Sequence, residues 1–364
     1  LESQLAKLLN KGRVALKKLE ANLIYTGILP TIKRQDLRRK NLTPLARYSL
    51  LASVYDSMRG EPFNIHIKGV DQLITQVGST MFEGSNTSFQ IHLQVEAINF
   101  AQKYNWAQLI SGPVLAAATN SPLFLGKRLW RETRIVLFEQ SIDTRRVTSN
   151  ITDRTPRVFF GKTWLKESPL EIFKEDIARH RVILDGLLEE NPMTQLEKGN
   201  IPILNALSIH NGTVYRWNRP CYGITRGKPH LRIENRYLPA GPSLKDQMAN
   251  MAFWLGLMNG IPREYQDVSQ LIDFDNAKVN FISAARMGLG TRFNWFDNKK
   301  ITAPRLILKV LLPIAEEGLK IADLKSKDIN EYLDVIKKRV STGKTGSQWL
   351  LDSFNNLRKK HSIG

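Results

Sequence analysis

Leu5, Leu8, Leu9, Val14, Leu16 and Leu19 recur at helical spacing and predict an amphipathic helix from Leu1 to about Leu23. Ile24–Pro30, punctuated by Gly27 and Pro30, reads as a short buried strand. Thr43-Pro44 opens a helix from Leu45 to about Met58, with proline in its first turn. Asn64–Val70 alternates as a strand, and Asp71–Phe82 reads as helical or irregular. Phe89–Val95 has a clean period of two: Phe89, Ile91, Leu93 and Val95 face one way, Gln90, His92 and Gln94 the other. Helices are expected over Glu96–Tyr104 and Trp106–Ala118. A break at Asn120-Ser121-Pro122, an arginine-rich stretch from Leu129 to Arg146 and an exposed helix over Ser168–Leu188 follow.

In the second half, two alternating runs within Ala206–Asn218 flank Asn211-Gly212, a pair suited to a type I′ hairpin turn. That register pairs His210 with Thr213 and Leu207 with Arg216. It sets Arg216 among apolar positions, which is awkward for a role in a site. After a turn around Pro220–Gly227, His230–Leu238 is a strand with His230, Arg232, Glu234 and Arg236 on one face. Ser243 is a natural N-cap for a helix to about Met258, ended by Asn259-Gly260. Helices over Asp275–Gly288, Thr302–Ala322, Ile329–Val340 and Gly346–Lys359 complete the chain. Strands set among long helices, without an internal repeat or a flexible linker, predict an α+β fold with a largely antiparallel sheet. The expectation is a single domain over 1–364 whose 302–364 portion is helical.

Composition narrows the field. The 364 residues are 42% hydrophobic and 9% aromatic, which excludes a disordered chain. The single cysteine excludes an internal disulfide framework and suggests a reducing, cytoplasmic setting. No apolar run is long enough for a transmembrane helix. The formal net charge of +19 favours anionic partners: nucleotide phosphates, nucleic acid or anionic lipid. The first 60 residues carry 12 Lys/Arg against 4 Asp/Glu.

The strand Arg232-Ile233-Glu234-Asn235-Arg236 has two readings. A solvent-facing strand would tie its charges into weak cross-strand ion pairs. A sheet face lining an anion and metal site would use Glu234 as a Mg²⁺ ligand and the arginines as bidentate phosphate partners. The window 205–240 holds Arg216, Arg219, Arg226, Lys228, Arg232 and Arg236 against the one acid Glu234, with Trp217 among them. It could stack RNA bases or cradle ATP and a carboxylate substrate. His92, alone on its strand face, reads as a hydrogen-bonded structural residue or a ligand. Glu83, on a turn-like stretch before that strand, is compatible with a metal or phosphate site. Cys221 lacks a general base at a telling spacing and reads as structural. There is no phosphate-loop or dinucleotide glycine fingerprint. His-x-x-x-His and paired Cys-x-x-Cys are absent as well, so a zinc site is not expected.

Longer blocks carry a resemblance. Ile209-His210-Asn211-Gly212-Thr213-Val214-Tyr215-Arg216-Trp217-Asn218-Arg219-Pro220, Pro229-His230-Leu231-Arg232-Ile233-Glu234-Asn235-Arg236 and Leu238-Pro239-Ala240-Gly241-Pro242 closely resemble the glutamate–cysteine ligase type 2 group. Thr87–Val95, Asn120-Ser121-Pro122, Leu129–Arg134 and Asp246–Gly256 match it too, so the likeness runs from about Gly27 to about Trp349. The resemblance implies a curved, glutamine synthetase-like sheet flanked by helices. It implies ATP- and Mg²⁺-dependent ligation, in which the side-chain carboxylate of glutamate is phosphorylated and the amine of a second substrate, such as cysteine, displaces phosphate. On it, Glu234 is a metal ligand and Glu83 a second one. Arg232 and Arg236 are phosphate partners, and Arg219 holds the amino-acid carboxylate. His92 lies near the nucleotide phosphates, and Arg134 and Arg216 are nucleotide-side candidates. Family members begin with a strand carrying a Glu-x-Glu metal motif, whereas this chain begins at a helix, so the expectation is either that a separate segment carries those carboxylates or that this is a degenerate member. The alternative kept open is a non-catalytic anion- or RNA-binding protein on a ligase-derived fold.

Overall fold

The computed structural model describes residues 1–78, 81–145, 155–186 and 191–360. Arg146, Leu187 and Leu188, at the ends of predicted segments, lie outside them, as do the last four residues of the domain expected over 1–364. The first half runs α1 (Glu2–Lys17), α2 (Ala46–Arg59), β1 (Phe63–Lys68), β2 (Gln72–Val77), β3 (Ile91–Val95), α3 (Phe100–Ala118), α4 (Thr133–Ser141) and α5 (Leu170–Arg179). The second runs α6 (Asn205–Asn211), β4 (Asn218–Thr225), β5 (Lys228–Asn235), α7 (Leu244–Asn259), α8 (Phe274–Met287), α9 (Leu312–Ile321), α10 (Ser326–Thr342) and α11 (Gly346–Lys360). Helices with small, mostly antiparallel sheets make this an α+β arrangement.

The sheet that matters has the order β3-β5-β4, both pairings antiparallel. On its back face Leu93 pairs with Ile233, and Ile233 with Pro220, beside the row of Asn235 and Asn218. This face rests on α3, whose Tyr104 hydroxyl donates to the Asn218 carbonyl at 3.0 Å. Asn218 Nδ2 donates to Gln108 Oε1 at 2.7 Å. α3 is apolar nearly all round and is buried along almost its whole length, including Trp106, Leu109 and Val114, as expected of a central core helix.

Behind α3, α7 crosses α9 at glycines. A Cβ on Gly256 would stand 2.3 Å from the Ala315 carbonyl oxygen, and one on Gly318 only 1.8 Å from the Gly256 oxygen. The two backbones touch, and only hydrogen fits between them. Ser243 caps α7 as expected, its hydroxyl accepting from the Asp246 amide.

Two expectations fail in extent, the helix expected over Ser168–Leu188 ending at Arg179 and the turn expected around Pro220–Gly227 shrinking to Arg226-Gly227, and four fail in kind. Ile24–Pro30 forms no strand, although Ile28 is buried. Residues 72–77, expected to be helical or irregular, are a strand. β2 pairs with β1 from Phe63↔Val77 to Lys68↔Gln72, and its alternation buries Leu73, Thr75 and Val77. The two helices expected over 96–118 are one, α3, after a short turn at Ala97–Asn99. The Asn211-Gly212 hairpin is absent: Asn205–Asn211 is helical and Gly212 keeps right-handed backbone angles (φ −68, ψ −13). Leu207, Ser208, Asn211 and Gly212 all face one cavity, so helical spacing describes this segment better than alternation. The hairpin turn lies instead at Arg226-Gly227, both with positive φ (50 and 72), between β4 and β5.

Candidate active site

The β3-β5-β4 register determines what shares the front face. His92 lies opposite Glu234, and Glu234 opposite Arg219; one step along, Gln94, Arg232 and Cys221 form a second row. Cross-strand partners project to the same side, so one carboxylate stands among arginines, an imidazole and a thiol. Arg219 Nε donates to Glu234 Oε2 at 2.6 Å, and Cys221 Sγ to the same oxygen at 3.4 Å. Oε1 faces His92 Nε2 at 3.9 Å and Arg236 Nε at 3.6 Å.

Glu234 is 1% exposed. Burial pushes its carboxyl pKa upward, but the Arg219 and Arg236 charges and the Arg219 hydrogen bond outweigh that and hold it below the ordinary value. Glu234 is therefore ionised at neutral pH. Burial lowers the His92 pKa, with the neighbouring arginines acting in the same direction against Glu234, so the imidazole is neutral. Burial raises the Cys221 thiol to about 11, which makes it a poor nucleophile.

A cavity of about 540 Å³ opens in front of this face. Arg219, Cys221, Arg232 and Arg236 form its sheet side. α2 forms the opposite wall through Arg47, Tyr48, Leu51, Ala52 and Tyr55. Tyr55 and Tyr215 close one side with their hydroxyls 2.9 Å apart. Glu83 lines the cavity as well; burial raises its carboxyl pKa, partly opposed by the Arg236 charge. Arg236 lies just past β5, where its amide donates to the Trp217 carbonyl at 3.0 Å. Its guanidinium stands 5.4 Å from the Tyr215 ring centre. Its Nη1 and the Nε of Arg232 are buried without a hydrogen-bond partner among the described residues. Buried donors left unpaired are costly, and here they line a cavity that an anion would fill.

Of the residues expected from sequence, Arg219, Arg232, Arg236, Glu234 and His92 come together, and Glu83 faces the same cavity. Arg134 and Arg216 do not. Arg134 Nε is bound to Glu132 Oε1 at 2.8 Å and its Nη2 to the Tyr237 carbonyl at 2.6 Å, inside the core. Arg216 grips Asp176 and Glu175 at 2.7 Å each and stacks 4.4 Å from the Phe159 ring centre. These guanidinium groups are occupied by protein carboxylates and offer no open edge to a nucleotide. Arg47, Tyr55 and Asn211 were missed. The signal was present for the first two, because Arg47, Leu51 and Tyr55 fall at i, i+4 and i+8 on α2. A larger cavity of about 960 Å³, with Lys162, Lys166, Asp267 and Asp273 in its walls, contains none of the expected residues.

The cavity suits an anion better than it suits Mg²⁺. Mg²⁺ takes oxygen ligands in octahedral geometry. Among the described residues the one group of three or more metal-ligating side chains is His92, Cys221 and Glu234, which Glu83 does not join. One carboxylate shared with two arginines is not a Mg²⁺ cage, and Glu83 lines the cavity without joining that group. The unpaired arginine donors do fit phosphate or carboxylate oxygens.

Comparison with protein families gives a match over nearly the whole chain. The sequence model described as glutamate-cysteine ligase family 2 covers residues 2–362. No curated protein matches the chain. Among the described residues no helix is long and apolar enough to cross a membrane.

Proposed function

The chain belongs to glutamate-cysteine ligase family 2, and from that premise we propose that it joins the side-chain carboxylate of glutamate to the amine of cysteine, at the expense of ATP, in the cavity before the β3-β5-β4 sheet. The observation that carries this reading is the convergence of Arg219, Arg232 and Arg236 on one cavity, with a buried N–H of Arg232 and one of Arg236 unpaired among the described residues. Family membership supports a carboxylate–amine ligase; the choice of glutamate, cysteine and ATP, and a glutamine synthetase-like, curved sheet within a single ligase domain, are part of the proposal.

ATP would supply the phosphoryl group that turns a carboxylate oxygen into part of a phosphate leaving group. The chain's own residues supply charge and position. Arg232 and Arg236 neutralise oxygens that gather negative charge, an effect strongest in a water-poor cavity. Glu234 keeps Arg219 pointed across the sheet through the 2.6 Å bond. Tyr55 and Tyr215, locked hydroxyl to hydroxyl, shape the wall against which the amine approaches.

The test is phosphate release from ATP with glutamate, with and without cysteine. Release that needs both amino acids, and that Glu234→Ala abolishes while circular dichroism shows the variant folded, supports the proposal. Near-normal turnover by that variant refutes the assignment of the site. No release across a panel of amines, together with retention of RNA that weakens steeply with salt, would favour a binding protein instead.

A further inference from the structure

We propose that α1 and the groove beside it form a docking surface for an anionic lipid bilayer, on which the protein rests without crossing it. α1 is amphipathic, yet the body of the protein covers only part of its apolar stripe. Leu5, Leu9 and Leu16, at i, i+4 and i+11, are half-buried where α1 packs across α7. The Tyr332 hydroxyl of α10 donates to Glu2 Oε2 at 2.5 Å and pins the start of the helix. No residue of α1 is buried.

Leu8, Ala15 and Leu19, at i, i+7 and i+11, form the neighbouring strip and face solvent. Leu19 belongs to the same turn, its amide donating to the Leu16 carbonyl at 2.9 Å. Leu8 is 62% exposed and Leu19 75%. On the far side of the strip, Lys7, Lys11 and Lys18 recur at i, i+4 and i+11, exposed and without a carboxylate partner among the described residues. Past the helix, Ile24 and Tyr25 enter a groove of about 600 Å³ whose other wall includes Trp349 and Leu350 of α11. The Arg13 charge acts on the Tyr25 phenol, so this groove lies beside α1. Ile24 and Trp349 are both exposed.

The chemistry of the surface selects the partner. Aliphatic side chains edged by lysines suit a helix lying in a bilayer interface, with leucines among acyl chains and ammonium groups among headgroup phosphates. Tryptophan is a residue that settles at headgroup level. The surroundings carry the complementary sign, with 12 Lys/Arg against 4 Asp/Glu in the first 60 residues. RNA would engage the lysines and leave Leu8 and Leu19 in water, because bases stack on aromatic rings. A second copy docking strip to strip would set Lys7, Lys11 and Lys18 against the same three lysines, and like charges face to face cost affinity.

The experiment co-sediments the full chain with vesicles of phosphatidylglycerol and phosphatidylcholine, and with vesicles of phosphatidylcholine alone. The protein should pellet with the anionic vesicles at low salt, less so as salt rises, and remain in solution with the neutral ones. Leu8→Gln should lower the partition coefficient more than tenfold, the worth of one leucine taken out of water. Each of Lys7→Gln, Lys11→Gln and Lys18→Gln should lower it roughly fivefold. These positions are exposed, so the variants should keep the parent's circular dichroism and urea midpoint. No pelleting with anionic vesicles at low salt, or equal pelleting with neutral ones, would overturn the proposal. So would Leu8→Gln binding as tightly as the parent, which would reduce the effect to overall charge. A lipid-free dimer that Leu8→Gln dissolves would assign the strip to a second copy instead. No measurement depends on turnover, so failure of the ligase proposal leaves this one standing, and the reverse also holds.

Discussion

Two groups of arginines in this molecule look alike in sequence and behave oppositely. Arg134 is sealed in the core, where Glu132 also accepts from the Ser121 hydroxyl at 2.6 Å and from the Asn120 amide at 2.8 Å. Every strong acceptor there has its donor. Arg232 on β5 and Arg236 just past it have buried N–H groups that meet no acceptor among the described residues. The first arrangement answers to folding, because unfolding is what exposes it. The second is incomplete in the folded chain alone and is completed by something entering the cavity. An arginine's role is therefore read from what its hydrogens lack rather than from its motif. Even the closed pair is no simple gain. Burial pushes the Glu132 carboxyl up and the Arg134 guanidinium down, and their mutual attraction only partly offsets this.

The largest effect expected is therefore from cutting the closed group. Arg134→Met leaves Glu132 buried without its counter-charge and should cost about 3–5 kcal/mol of stability, read as a lowered urea midpoint. A loss below about 1 kcal/mol, the value of a surface pair, would erase the distinction. The open group should behave in reverse. Arg236→Met removes a donor that waits for an anion and should lower kcat/KM by roughly 10²–10³, the range seen when a preorganised donor is removed from developing charge. Its urea midpoint should move less than that of Arg134→Met, since Arg219 still pairs with Glu234 and a buried Nη1 without a partner goes with it. A variant that loses stability and keeps its rate would show that Arg236 is structural.

Much of this contrast was legible before the fold was known, and the rest had physical reasons to stay hidden. The alternation of Arg232 and Glu234 on a strand is a property of β geometry, so the front face could be read directly. The turn between β4 and β5 was legible through Gly227, but its tightness was not, because Arg226 takes a left-handed conformation (φ 50) that its residue type does not advertise, and the residues from Pro220 to Thr225 belong to β4. Asn211-Gly212 advertised a turn that tertiary packing overrode: as a helix end, Asn211 donates through Nδ2 to the Pro220 carbonyl at 2.8 Å. Arg216 looked like a site residue because it sits in a matching block. Its partners Asp176 and Glu175 lie 40 and 41 positions away, beyond any local pattern. Cys221 read as inert from sequence, and its raised pKa agrees, yet only the register shows the imidazole and carboxylate beside it.

A third ion pair tests how far the contrast extends toward the surface. Asp71 follows β1 and is clasped by Arg128, whose Nε and Nη2 donate to its two oxygens at 2.9 Å each. Both side chains are about a quarter exposed (26% and 25%). The hydrogen bonds from Arg128 hold the Asp71 carboxyl down at about 2, below the ordinary 3.8, despite some burial. A carboxyl with a lowered folded-state pKa stabilises above its unfolded pKa and loses that contribution as pH falls through the folded value. The stability from this pair should be complete above pH 3.8 and disappear toward pH 2. Asp71→Asn should cost at most about 1 kcal/mol at neutral pH, because water competes for both groups. Its stability should also fall less steeply than that of the parent chain across this acid window, as urea midpoints at a series of pH values would record. Equal slopes would mean that the clasp contributes nothing through ionisation, whereas a loss of several kcal/mol would place Asp71 with the sealed pair of the core, because only a group cut off from water loses that much when its partner is removed.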